Sequence, residues 1–130
     1  VLPLLETDIM DIIEAVWEEK LDTLDIKWSD KSCACVVMAS GGYPEKYETG
    51  KVINGLDENG QCEGAFVYHA GTKLEDGKFL TAGGRVLGIT AYGDTLQEAL
   101  DTAYKAVDTI SFEKAHYRHD IGKKALSALK

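Results

Sequence analysis

The sequence has no long apolar run, no CxxC pair and a deficit of positive charge, and each shortage excludes something. Its purely apolar stretches are only a few residues long. A helix that crosses a bilayer needs about 20. The opening VLPLLETDIM lacks a basic region and meets Glu6 and Asp8 at once, so it does not read as a secretion signal. An initiating methionine is missing too. We therefore expect a piece of a longer protein, although processing gives the same start. Lys and Arg number 14 against 22 Asp and Glu, a net charge of −8. A nucleic-acid surface needs clustered cations to neutralise phosphates, so that class is excluded. Three cysteines (Cys33, Cys35, Cys62) are odd in number and make no disulfide framework. They are expected to be buried free thiols of a cytoplasmic protein.

What is present suits one folded domain. Hydrophobic residues make up 45% and charged residues 28%, enough apolar material for a core. Residues 8–20, DIMDIIEAVWEEK, repeat apolar side chains at helical spacing, with Thr7 placed to cap. SCACVVMAS (32–40) reads as a buried strand that stops at the sharp GGYP loop. KVING (51–55), GAFVYHAGT (64–72) and RVLGITAYG (85–93) read as further strands, with a bulge or close backbone approach expected at Gly88. LEDGKFLTAGG carries an Asp76-Gly77 hairpin signal. In TLQEALDTAYKAVDTI, Thr95 and Glu98 form a capping box ahead of one apolar stripe, and IGKKALSALK supplies a short last helix. The expected class is α+β, a mostly antiparallel sheet with flanking helices.

Motifs with catalytic strength are missing. Ser40 is not in a GxSxG elbow, and Gly50-Lys51-Val52 lacks the hydroxyl of a phosphate-binding loop. The densest group of titratable side chains is AHYRHDIG (115–122): His116, Arg118, His119 and Asp120. It can be a metal site, an acid–base pair or a cationic hook. No cysteine or carboxylate pair stands at ligand spacing to make the metal. The planar fork of Arg118 suits a phosphate or carboxylate, with His119 or Lys123 assisting. Gly83-Gly84-Arg85 offers a second anion contact, or simply a glycine turn beside an exposed arginine. Late basic residues (Lys114, Arg118, Lys123, Lys124, Lys130) place positive charge at one end of an acidic body. That suits one small anion, or ordinary solubility with lysines near helix ends.

VVMASGGYPEKYETGKVINGL, VYHAGTKLEDGKFLTAGGRVLGITAYGDTLQEA and HYRHDIG, in this order, closely resemble the C-terminal region of the glycinamide ribonucleotide synthetases (phosphoribosylamine–glycine ligases). These are ATP-grasp enzymes of purine synthesis. The resemblance covers essentially the whole chain. It implies that residues 1–27 end the ATP-grasp region and that 28–130 form the C-terminal, substrate-side domain. It also implies a partner in the upstream ATP-grasp domains of the same polypeptide, and 5-phosphoribosylamine as the small-molecule substrate. ATP and Mg²⁺ (or Mn²⁺) belong to the full-length enzyme. No catalytic residue, metal ligand or cofactor is expected in this chain, which alone is expected to be inactive. By analogy with related enzymes Arg118 becomes the anion hook, with Arg85 and Lys73 as weaker candidates. Family members often carry a second cation where this chain has His119, so a contribution from that side depends on pH. The competing reading is a stand-alone, non-catalytic small-ligand-binding or assembly module.

Overall fold

The computed structural model describes residues 1–128; Lys130 and the end of the expected last helix lie outside the described residues. Three helices and five strands follow one another as α1 (Ile9–Trp17), β1 (Ser32–Ala39), β2 (Phe66–His69), β3 (Thr72–Glu75), β4 (Lys78–Thr81), β5 (Arg85–Gly93), α2 (Leu96–Val107) and α3 (Lys123–Ala128). This is the expected α+β arrangement. β5 lies between β1 and β2 in an antiparallel three-stranded sheet, and β3 pairs with β4 in a separate hairpin. Asp76 and Gly77, both with positive φ (50° and 72°), make the turn between them.

Register explains the core. Ala34 pairs with Ala91, Val36 with Ile89, and Met38 with Leu87, so these six share one face of the sheet. The buried stripe of α2 (Ala99, Leu100, Ala103, Ala106 and Val107) packs with them into one cluster. Thr95 accepts from the Glu98 amide while the Glu98 carboxylate accepts from the Thr95 amide, so the capping box forms as expected.

The opposite face has no α-helix over it among the described residues. The 3-10 turn Leu2–Leu4 reaches it, the Pro3 carbonyl accepting from the Tyr92 hydroxyl at 2.7 Å. This corrects the expectation for the thiols. Cys33 and Cys35 alternate with the core residues, so the pleat turns them away from α2. Cys35 is exposed, while Cys33 and Cys62 are half-buried. Val37, Phe66 and Tyr68 on the same face are also exposed.

Other local expectations shift for identifiable reasons. Asp8, not Thr7, caps α1 by accepting from the Met10 amide at 2.8 Å. The Thr7 hydroxyl instead accepts from the Lys27 amide at 2.7 Å, part of a ladder joining residues 4–7 to 27–29. The helix stops at Trp17 rather than Lys20, where Glu19 turns left-handed (φ 57°). Its apolar side chains remain open: Trp17 is 88% exposed, and Ile9, Ile13 and Val16 about half. KVING is not a strand. It makes single bridges to two different neighbours, Val52 to Leu80 and Asn54 to Ser111. Gly88 sits in regular register opposite Val37 and Tyr68, and the irregularity falls instead between Met38 and Ala39. A Cβ on Gly88 would lie 3.3 Å from the Cys35 sulfur, so the tight neighbour is a side chain rather than a second backbone.

The free edge of β2 is covered by a side chain. Gln61 donates to the Val67 carbonyl at 3.0 Å and accepts from the Val67 amide at 2.9 Å. Asp57 holds that loop by accepting from the Asn59 and Gln61 amides. Among the described residues no helix is long and apolar enough to cross a membrane.

Candidate functional site

Three glycine-containing loops meet where β1 ends and β5 begins. Buried Ser40 donates its amide to the Gly84 carbonyl and its hydroxyl to the Gly83 carbonyl, both at 2.8 Å. The third loop joins through Ala82, whose amide donates to the Gly71 carbonyl at 2.8 Å. Gly84 has to be glycine here, because a Cβ would collide with the ring of Tyr43. This junction aims Arg85 outward at the first position of β5.

The second wall comes from residues 116–121. His116 exchanges backbone hydrogen bonds with Ala39 (2.8 and 3.0 Å), which brings the following Tyr117 and Arg118 alongside β1. The result is a hollow of about 260 Å³ lined by Val37, Ala39, Tyr43, Tyr117 and Ile121, together with Arg85, Arg118 and His116. Two arginines 33 residues apart in sequence thus line one hollow whose wall is largely apolar. Such a wall leaves anion recognition to the guanidinium groups.

The two arginines differ in what they already hold. Nε and Nη2 of Arg118 each donate to one carboxylate oxygen of Asp120 at 2.8 Å. That contact holds the Asp120 carboxyl below its ordinary range and raises the Arg118 guanidinium further. Two of five N–H donors are occupied, leaving the Nη1 group and one Nη2 hydrogen for a ligand. Arg85 has no carboxylate within ion-pair distance among the described residues. The residues lining the hollow thus carry two arginines, one of them bound to a carboxylate.

The remaining candidates are placed elsewhere. The His119 ring lies tilted against that of Tyr117, with centres 4.6 Å apart, and lines a different hollow, between α2 and α3. Lys123 lines that same second hollow. Lys73 lies on the β3–β4 hairpin and pairs with Glu75. His116 and His119 lie outside any helix. Among the described residues no three of His, Cys, Asp and Glu gather to hold an ion. Sequence reasoning missed Tyr43 as part of the site, and named Asp120 without its contact to Arg118. The Tyr43–Gly84 contact joins residues distant in sequence and leaves no periodic signal, whereas Asp120 was visible two positions from Arg118.

Residues 33–124 match the family described as phosphoribosylglycinamide synthetase, C domain. The chain belongs to this family. It is 52% identical over 121 residues to a phosphoribosylamine–glycine ligase of Caldanaerobacter subterraneus, covering 93% of this chain and 28% of that protein. A bifunctional purine biosynthetic protein of Dictyostelium discoideum is 48% identical over 130 residues, 99% of this chain and 16% of its own length. The crystal structure of a phosphoribosylamine–glycine ligase from Thermotoga maritima superposes with a TM-score of 0.66 at 32% identity, covering 84% of this chain and 27% of that one. The chain therefore spans less than a third of these relatives.

Proposed function

We propose that this chain is the substrate-side domain of an ATP-dependent ligase that joins glycine to 5-phosphoribosylamine, forming glycinamide ribonucleotide in purine synthesis. In this reading Arg118 and Arg85 hold the substrate's phosphate, and Tyr43 and Tyr117 wall the space beside it. The observation that supports the reading is that Arg85 and Arg118, distant in sequence, line one hollow. A phosphate is the strongest charge on phosphoribosylamine, and a guanidinium fork matches its oxygens. His119 and Lys73 hold no place in this hollow and drop behind the two arginines.

A divalent metal does not fit the donor set of the described residues, since no three of His, Cys, Asp and Glu converge there. The proposed role is confined to holding substrate, with activation of glycine assigned to the rest of a full-length ligase. A boundary near residue 28 is part of the proposal. It is supported by the family match beginning at 33 and by an arm whose residues 4–7 pair with its own residues 27–29. The open apolar faces of α1 and of the sheet suit burial against those upstream domains. Free thiols, one of them exposed, suit a reducing compartment such as the cytoplasm.

The test is kinetic. In a full-length ligase carrying this domain, Arg118→Ala and Arg85→Ala should each raise KM for phosphoribosylamine while leaving KM for ATP unchanged. A charge-assisted contact contributes about 1.5–3 kcal/mol, so the expected rise is about tenfold to a hundredfold. Unchanged KM in both variants would remove the phosphate role.

A further inference from the structure

One hydroxyl spans the turn that carries Arg118. Tyr104, on α2, donates its Oη–H to the Arg118 carbonyl at 2.7 Å and accepts from the Ile121 amide at 3.2 Å. No other hydrogen bond holds either backbone group among the described residues. On the N-terminal side the nearest backbone anchor is the His116–Ala39 pair. On the C-terminal side it is the Lys123 amide, which donates to the Asp120 carbonyl at 3.2 Å. Between those anchors the chain has no regular structure, so Tyr104 supplies the tie for residues 118–121.

The guanidinium end is fixed separately, by the two-bond contact with Asp120. Main chain and head group of Arg118 are thus each held by a different residue, although the side chain itself is exposed. An exposed arginine ordinarily samples many rotamers and must be ordered when an anion arrives, which weakens binding. Here the ordering precedes the anion. The Tyr104 ring also lies 6.3 Å from that of Tyr117, which lines the same hollow as Arg118. The hydroxyl and the ring therefore act on neighbouring residues of one wall.

We propose that Tyr104 is a positioning residue for anion binding: its hydroxyl pins both ends of the 118–121 turn, holding Arg118 at the hollow before substrate binds. The inference rests on the reading of Arg118 as a phosphate ligand. Tyr104 itself touches no substrate in this arrangement. It lines the other hollow, between α2 and α3.

The experiment is a double-mutant cycle in a full-length ligase, using Tyr104→Phe, Arg118→Ala and both together. Tyr104→Phe keeps the ring and removes only the two hydrogen bonds. It should raise KM for phosphoribosylamine about three- to tenfold, with KM for ATP, KM for glycine and kcat unchanged. In the Arg118→Ala background the same change should have no further effect, because the residue it positions is gone. Effects that multiply in full would overturn the proposal, since Tyr104 would then act independently of Arg118. So would an unchanged KM in Tyr104→Phe while Arg118→Ala raises it. If Arg118→Ala itself leaves KM unchanged, the phosphate reading fails, and the positioning role falls with it. A thermal melt of each variant keeps the cycle interpretable. A large drop in Tm for Tyr104→Phe, with normal KM in the folded fraction, would make the hydroxyl a stability element and overturn the proposal too.

Discussion

Ser40 and Gly83, 43 positions apart, are joined by a 2.8 Å hydrogen bond from the serine hydroxyl to the glycine carbonyl. Ser40 is only 2% exposed, so little water can replace the lost donor. Ser40→Ala should therefore cost about 1–3 kcal/mol, the usual penalty for orphaning a buried polar group. Denaturant unfolding of the wild type and variant measures it. Ser40→Thr, which keeps the donor, should recover part of the loss. A variant as stable as the parent would show that Gly83 finds another donor.

Arg118 and Asp120 supply a pH prediction. The hydrogen bonds from Arg118 hold the Asp120 carboxyl below its ordinary range. A carboxyl depressed on folding stabilises above its unfolded pKa, and that contribution is lost as pH falls through the folded value. Carboxyl chemical shifts followed by NMR should therefore show Asp120 still ionised where ordinary aspartates are half-protonated. Both groups are exposed, so the accompanying change in stability should be small and should shrink in salt. A midpoint in the ordinary aspartate range would mean that the contact does not persist in solution.

Leu87 and Trp17 make a contrasting pair. Leu87 is fully buried in the face covered by α2, whereas Trp17 is 88% exposed at the end of α1. Leu87→Ala should destabilise this 130-residue chain by about 2–5 kcal/mol. Trp17→Ala should stay within about 0.5 kcal/mol, as substitutions at exposed sites usually do. Thermal melts of the two variants decide it. A large loss from Trp17→Ala would show that the indole is packed in solution.

The parts legible in the sequence were those written in local patterns. The Thr95–Glu98 box, the apolar stripe of α2 and the Asp76-Gly77 turn each place their signal within a few residues, and each formed as read. KVING failed as a strand because alternation says what a segment prefers, not whether one neighbour runs beside it. The thiols misled because burial of β1 depends on a layer that covers only one face. For the site, Arg118 and Arg85 were both named, but their meeting depends on Ser40 tying two loops and on His116 pairing with Ala39. Those pairings are long-range and leave no periodic trace. The pinning by Tyr104 was hidden further, since its position on α2 read as ordinary helix sequence.

Gln61 lays its amide along Val67 as a neighbouring strand would. A bare sheet border is an open invitation to another chain, and extended segments readily polymerise along it. With both Val67 backbone groups engaged, an incoming strand must first evict the glutamine. That displacement sets a threshold against fibre growth from this border, an advantage in a chain whose neighbouring face already shows Phe66 and Tyr68 to solvent.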